Sequence, residues 1–217
     1  MKFYFTIKCI LLGDSQVGKS SILTQYIQDR FFLNPTSTIG VDFGIKEMDI
    51  KYGANDYNIK FNIWDTAGDN RYKSIVETYY RNTSYILLTF DVNKRCSFNN
   101  IVKLYYSIKN DHEKSKFIFV GNKTDLNNNY KVNEKEVSKL AKELDIQYIF
   151  ISAKECSNVH ELFKLVYTDA LKEFDKLAYI KKIDCKSFNN IKVRNIPEVY
   201  VYNKEVESCW CGFCKVC

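Results

Sequence analysis

Six stretches rich in β-branched and aromatic residues recur along the chain, at 3–12, 43–52, 57–64, 84–91, 116–121 and 146–151. Each is short enough to be a strand, and helical patterns separate most of them. Residues 20–30 follow a glycine-bearing loop and read as a helix. Ser97 is placed to cap another, with Ile101, Tyr105 and Ile108 along one side. Asn133 with Glu136 forms a capping-box pattern ahead of Val137, Leu140, Ala141 and Leu144. Asn158 with Glu161 repeats it before Val159, Phe163, Val166 and Ala170. The second and third strands are joined by YGAND (52–56), a turn signal, and so form an antiparallel hairpin. The remaining alternation predicts an α/β domain: a six-stranded, mostly parallel sheet with helices on both faces and ligands at the carboxyl ends of its strands. The domain is expected to occupy 1–178. Residues 179–208 lose periodicity and read as an extended linker, and 179–217 together form a C-terminal tail.

Composition narrows the classes. The chain of 217 residues is long enough for one such domain plus a tail, and its 46% hydrophobic and 27% charged residues are those of an ordinary globular protein. No apolar run approaches the roughly 18 residues of a membrane span. The apolar N-terminus, MKFYFTIKCILLGDS, lacks a small-residue cleavage site and runs straight into the glycine loop, so it reads as the first strand and not as a signal peptide. A net charge of +6 without a basic stripe interleaved with aromatics excludes nucleic acid as a partner. Of eight cysteines, Cys9, Cys96, Cys156 and Cys185 are scattered, and the first three fall in or beside predicted elements, as reduced cytosolic thiols would. Cys209, Cys211, Cys214 and Cys217 crowd the end.

GDSQVGKS, 13–20, fits the phosphate-loop pattern G-x-x-x-x-G-K-[ST] between a strand and a helix. Glycines let the backbone curl so that successive amides face phosphate oxygens, and the helix start adds a positive dipole end. The candidate phosphate cradle is therefore Gly13, Asp14, Ser15, Gln16, Val17, Gly18, Lys19, Ser20 and Ser21. Lys19 would reach the β- and γ-phosphates, and the Ser20 hydroxyl would ligate Mg²⁺. Alone, the motif could belong to any nucleoside triphosphatase or to a kinase.

The loops after the fifth and sixth strands narrow it. GNKTD (121–125) and SAK (152–154) are individually unremarkable polar segments, but both sit at strand ends and follow a phosphate loop. An aspartate carboxylate can accept both the N1 proton and the 2-amino protons of guanine, a donor pair that adenine lacks. Asp125 is the candidate guanine reader, with Asn122 tying the loops together and Lys123 stacking along the base. Ser152, Ala153 and Lys154 complete the pocket. Hydrogen bonds to a charged group are worth about 1.5–3 kcal/mol each, enough to separate guanine from adenine. A guanylate-type kinase would need a second phosphate-acceptor site, and the sequence offers none.

With STIGVDF (37–43), WDTAG (64–68), RYKSI (71–75) and YYR (79–81) added, the sequence resembles the small GTPases and, within them, the Rab family, over residues 5 to about 175. The resemblance implies the small-GTPase form of the P-loop NTPase fold and a GTP/GDP switch that uses Mg²⁺. It implies that Thr38 ligates Mg²⁺ and senses the γ-phosphate, and that Asp65 holds the metal through water. It also implies that the Gly68 amide contacts the γ-phosphate and that Phe31 packs across the guanine. Effectors in vesicle traffic would read Ile39 and the aromatic trio Phe43, Trp64 and Tyr79. Without the surrounding motifs, that trio would read as core. An exchange factor, an activating protein and a dissociation inhibitor or escort protein are the other implied partners.

Departures from the family pattern matter for chemistry. Asp69 and Asn70 replace the usual Gln-Glu, Gln16 is bulkier than the usual residue, Asn82-Thr83 replaces a small pair, and the 51–57 hairpin is longer than is typical. In such GTPases a glutamine amide orients the attacking water, with Lys19, Thr38 and Gly68 the other candidate catalytic groups here. Asp69 is shorter and, when ionised, can only accept. Slow intrinsic hydrolysis is expected, with turnover dependent on activating proteins that supply an arginine and a glutamine in trans. The alternative is a GTP-locked binding module.

The ending CWCGFCKVC packs its cysteines without the loop that structural zinc sites use. The resemblance implies geranylgeranylation instead, with Cys214 and Cys217 the candidate positions. Neither Cys-Cys nor C-x-C stands at the terminus, and Cys214 only loosely opens a C-a-a-X ending. Stable anchoring takes two signals, met by two prenyl groups or by one plus acylation of Cys209 or Cys211. The expected location is the cytosolic face of intracellular membranes.

Overall fold

A computed structural model of the chain describes residues 2–33, 36–53, 55–126, 130–181, 191–192 and 200–201. In chain order its elements are β1 (Lys2–Leu12), α1 (Lys19–Gln28), β2 (Val41–Tyr52), β3 (Asn55–Thr66), α2 (Lys73–Tyr79), β4 (Tyr85–Asp91) and α3 (Arg95–Ile108). They continue with β5 (Lys116–Asn122), α4 (Glu134–Leu144), β6 (Gln147–Phe150) and α5 (Val159–Lys181). The main sheet has six strands in the order β2-β3-β1-β4-β5-β6. Only the β2–β3 pair is antiparallel; β1 pairs in parallel with β3 and β4, β5 with β4 and β6. The hairpin turns tightly, with Tyr52 opposite Asn55 and Gly53 at φ 60, a left-handed conformation that glycine adopts without steric cost. All six expected strands are present, each within two residues of its expected limits.

Alternation along the central strands divides the core between the sheet's two faces. Phe5, Ile7, Cys9 and Leu11 of β1 face one cluster, with α1 and α5 over it; Ile10 and Leu12 face the other, beneath α3 and α4. Every residue of β4 is buried, which is why YILLTFD reads as a continuous apolar run and not as an alternation. Burial pushes the Cys9 thiol far above its ordinary range, so it acts as a small apolar side chain. Phe163 of α5 is fully buried, stacked on Tyr26 at 3.6 Å between ring centroids and edge-on to Phe61 at 5.5 Å.

Three capping expectations need correction. Helix α3 starts two residues before Ser97, with Lys94 at the N-cap; the Ser97 hydroxyl instead donates to the Lys94 carbonyl at 2.7 Å and accepts from the Asp91 amide at 3.1 Å. Asn133 does cap α4, accepting from the Lys135 amide, but Glu136 turns to Arg95 of α3 in a bidentate pair at 2.5 Å per bond. A fork to an arginine outcompetes the reciprocal half of a capping box. Asn158, at φ 58, donates its amide to the Phe150 carbonyl, and Glu161 pairs with Lys164, so that box does not form. Helix α2 has seven residues and no side-chain cap, too short to leave a helical period in the sequence.

Helix α5 runs to Lys181, and the stretch expected to be irregular contributes two short strands, β7 (Ile191–Lys192) and β8 (Tyr200–Val201), paired antiparallel. The tail cysteines, including Cys214 and Cys217, lie outside the described residues. Among the described residues no helix is long and apolar enough to cross a membrane.

The aromatic stack under α5 generates a stability prediction. Phe163→Ala should destabilise the domain by about 3–5 kcal/mol, because Tyr26 and Phe61 cannot collapse into the space together. Urea unfolding followed by tryptophan fluorescence measures it, and a loss under about 1 kcal/mol would contradict this packing.

Candidate functional site

The carboxyl ends of β1, β3, β5 and β6 carry loops that meet at one cleft, of about 600 Å³. Its floor is the loop between β1 and α1. Gly13 lies so close to β4 that a Cβ there would sit 2.1 Å from the Thr89 carbonyl oxygen. Gly18, the N-cap of α1 at φ 94, would place a Cβ 2.3 Å from Asn122 Nδ2. Val17 packs beneath the loop, fully buried, while Ser15 and Gln16 are exposed at its crest. Gln16 adopts φ 65, a left-handed conformation that costs a side-chain-bearing residue about 1–2 kcal/mol.

Lys19 is 5% exposed, and its ammonium donates to the carbonyls of Gly13 at 2.8 Å and Asp14 at 2.9 Å. Burial lowers its pKa to about 8, against the opposing pull of Asp65 and Asp14. Beside it, Ser20 Oγ lies 2.8 Å from Thr38 Oγ1 and 2.5 Å from Asp65 Oδ2, and Thr38 Oγ1 lies 3.2 Å from the same carboxylate oxygen. Asp65 is fully buried, its other oxygen has no hydrogen-bond partner, and desolvation raises its pKa. Three converging oxygen donors with a vacant carboxylate lone pair fit a hard divalent cation such as Mg²⁺. Among the described residues no three His, Cys, Asp or Glu side chains cluster, so a metal held here leans on hydroxyl and ligand oxygens.

At the other end of the cleft, Asn122 is 1% exposed and makes three ties. Its Nδ2 donates to the Val17 carbonyl at 2.9 Å, and its Oδ1 accepts from the amides of Lys123 at 2.8 Å and Ala153 at 3.1 Å. The Lys123 ammonium is held between the Gln16 carbonyl at 2.6 Å and Asp91 at 2.9 Å, which lays its stem along the cleft wall. The Ser152 hydroxyl donates to Asp125 Oδ1 at 2.7 Å, and Lys154 stands 3.8 Å from Oδ2. Phe31 and Lys154 line the same wall. Of the residues singled out for nucleotide contact, the side chain of Asp14 turns elsewhere, accepting from Asn100 of α3 at 2.9 Å.

Gly68 presses on the phosphate loop: a Cβ there would lie 2.3 Å from both the Asp14 carbonyl carbon and the Ser15 amide nitrogen. Asp69 follows it into the cleft, but its carboxylate is engaged. Oδ1 accepts from the Arg71 backbone amide at 2.9 Å, and Oδ2 accepts from Arg71 Nε at 2.9 Å and Nη2 at 2.6 Å. These bonds hold the Asp69 carboxyl below its ordinary pKa.

Comparison with known proteins assigns the family. The family model described as Ras family matches residues 8–172. Ras-related protein SEC4 of Saccharomyces cerevisiae is 40% identical over 159 residues, 72% of this chain and 71% of that protein. The chain belongs to the Ras family of small GTPases and is of its Rab type. A probable Rab-related GTPase of Acanthamoeba polyphaga mimivirus is 39% identical over 179 residues, 80% of this chain and 77% of that protein. Ras-related protein Rab11A of Nicotiana tabacum is 34% identical over 179 residues, 82% of this chain and 81% of that protein.

Against the Rab pattern, the aromatic trio forms a continuous stack. Phe43 and Trp64 face each other across β2 and β3 with centroids 4.5 Å apart, and Tyr79 of α2 stands 4.9 Å from Trp64. Phe43 is exposed, while Trp64 and Tyr79 are half-buried and pack against the edge of the core cluster beneath α3 and α4. Ile39 and Leu33 are each 81% exposed at the rim of the cleft. Asn82 takes a left-handed turn at φ 56, and Thr83 beside it is fully buried, with its hydroxyl donating to the Tyr79 carbonyl. The two histidines stand away from the cleft, each against an aromatic ring, His112 by Tyr80 and His160 by Tyr26. His112 is half-buried, and burial lowers its pKa.

Sequence reasoning passed over Arg71 and Asn100. The Asp69–Arg71 pair lies outside any strand, where an i,i+2 spacing announces nothing, and Asn100 meets Asp14 only through the fold. The ties of Asn122 lead to a prediction independent of any ligand. Asn122→Ala should cost about 2–4 kcal/mol of stability, since it strips buried partners from the Val17 carbonyl and the Ala153 amide. Chemical denaturation of the ligand-free chain measures it, and a variant as stable as the parent would contradict this role.

Proposed function

We propose that the chain is a guanine-nucleotide switch of membrane traffic, which binds GTP or GDP with Mg²⁺, recruits effectors in the GTP state and hydrolyses GTP slowly on its own. The observation that carries this reading is the single cleft that joins the phosphate-loop lysine and the Ser20–Thr38–Asp65 oxygen cluster at one end to the Asp125 carboxylate at the other. The amides of residues 13–21 and Lys19 would hold the phosphates. Asp125, steadied by Ser152, would accept from N1 and the 2-amino group of guanine, with Lys123 along the base and Phe31 across it. The cation, held by Ser20, Thr38 and, through water, Asp65, would neutralise phosphate charge when bound. Effectors would meet Ile39 and the Phe43–Trp64–Tyr79 stack. Lipid groups on Cys214 and Cys217 would place the switch on the cytosolic face of intracellular membranes, under control of an exchange factor, an activating protein and a dissociation inhibitor or escort protein.

The slow step follows from Asp69. A water-positioning group at that place must both donate and accept. An ionised carboxylate cannot donate, and here it is also committed to Arg71. The same commitment favours the second reading, a GTP-locked module, and stimulation by a Rab-activating protein separates the two. An activating protein that supplies its own glutamine restores turnover to a slow enzyme and leaves a locked module unchanged.

Two measurements test the proposal. Asp125→Asn should weaken GTP binding by at least about tenfold and shift preference towards xanthine nucleotides, because the amide exchanges an acceptor for a donor. Equal affinity of the unmutated chain for ATP and GTP would sink the guanine assignment. Asp69→Gln should raise intrinsic single-turnover hydrolysis by about tenfold, or ~1.4 kcal/mol of barrier, while GTP affinity stays within about threefold. If the unmutated protein alone already hydrolyses GTP as fast as the glutamine variant, the argument about Asp69 is wrong.

A further inference from the structure

An acidic residue directly after Gly68 poses an electrostatic problem for the GTP reading. Gly68 abuts the backbone of Asp14 and Ser15, so the next side chain enters the cleft at its phosphate end. An uncompensated carboxylate there would repel the γ-phosphate, which GTP carries and GDP lacks. The structure supplies the compensation two residues later. Arg71 lines the same cleft and wraps Asp69 with its backbone amide, Nε and Nη2. Asp69 directly precedes the 3-10 turn Asn70–Tyr72: its carbonyl accepts from the Tyr72 amide at 3.0 Å and its side chain from the Arg71 amide, which seats residue 71 beside the carboxylate. As a contribution to stability this pair counts for little, because the Arg71 side chain is 79% exposed and its partner 38%. Its place in the cleft is what matters.

Resting on the guanine-nucleotide reading above, we propose that Arg71 is a specificity-determining partner of Asp69: it cancels the carboxylate's charge at the phosphate end of the cleft and thereby sustains affinity for GTP relative to GDP. Both oxygens of Asp69 accept from one residue, so the pair presents a near-neutral unit, and the guanidinium keeps N–H donors not used by Asp69. A lysine would supply the charge but not the fork. The requirement for Arg71 therefore exists only while residue 69 is acidic.

The test is a double-mutant cycle on the full-length chain with Mg²⁺, reading the affinity ratio between a non-hydrolysable GTP analogue and GDP by competition. Arg71→Gln should lower that ratio by about fivefold, through loss of the GTP analogue alone. The effect should shrink at 0.5 M salt, as for any exposed charge pair. Arg71→Lys should keep most of the ratio. In an Asp69→Asn background the same Arg71→Gln change should move the ratio by less than about twofold. A guanine-specific parent in which Arg71→Gln weakens both nucleotides equally, or costs the same ratio in the Asp69→Asn background, would overturn the role of Arg71 alone. A parent that binds ATP as well as GTP would overturn the guanine reading and this inference with it.

Discussion

One buried amide, that of Asn122, holds the cleft in shape. It leaves the carboxyl end of β5 and reaches both the phosphate loop and the loop after β6, so the two ends of the cleft keep a fixed spacing. That reach imposes a requirement on a residue far away in sequence. Gly18 must lack a side chain because Asn122 Nδ2 occupies the space where its Cβ would be. Gly13 answers a different constraint, the Thr89 carbonyl of β4. The glycines of the phosphate-loop motif thus serve packing against β4 and β5 as much as backbone curl towards a phosphate.

Burial also loads the site electrostatically. Desolvation pushes Lys19 down and Asp65 up, in each case against the charged form. Hydrogen bonds within the cluster offset this only in part, since one oxygen of Asp65 remains without a partner. Two ligands of opposite sign relieve the two strains separately, a phosphate beside Lys19 and a cation beside Asp65. A magnesium-bound nucleotide brings both at once. The donor set around Asp65 is mostly neutral, so on the proposed reading metal and nucleotide affinity would rise together.

What the sequence made legible and what it hid divide along physical lines. Strand positions, the hairpin and the parallel order followed from periods of two and from turn residues, signals carried within a few neighbouring positions. The Lys19, Asn122 and Asp125 positions were legible because each motif fell at a strand end. Side-chain partners were not legible where a stronger, distant partner competed with a local one. Glu136 leaves its capping box for Arg95, Asn158 turns to Phe150, and Ser97 reaches back to Asp91 from within α3. Arg71 was hidden for the opposite reason, since its partner is two residues away in a segment that is not a strand, and the pairing depends on one 3-10 turn.

That turn sits at a junction. Gly68 rests on the phosphate loop, the Asn70–Tyr72 turn follows at once, and α2 then carries Tyr79 against Trp64, whose neighbour Phe43 is exposed. From Asn70 to Tyr79 the backbone is continuously helical, first 3-10 and then α, two residues beyond Gly68. Trp64 itself lies one residue before Asp65, so the aromatic stack and the cation site share a strand end. On the proposed reading, a γ-phosphate that draws the Gly68 amide towards itself must displace the start of this run. The aromatic stack at its far end must then either follow or break its contact with Trp64. Packed rings have discrete arrangements and do not deform gradually, so a small movement at the phosphate becomes a choice between two surfaces. On that reading the Asp69–Arg71 pair lies between the two ends of that run, and its charge balance would be part of the switch as well as of the binding site.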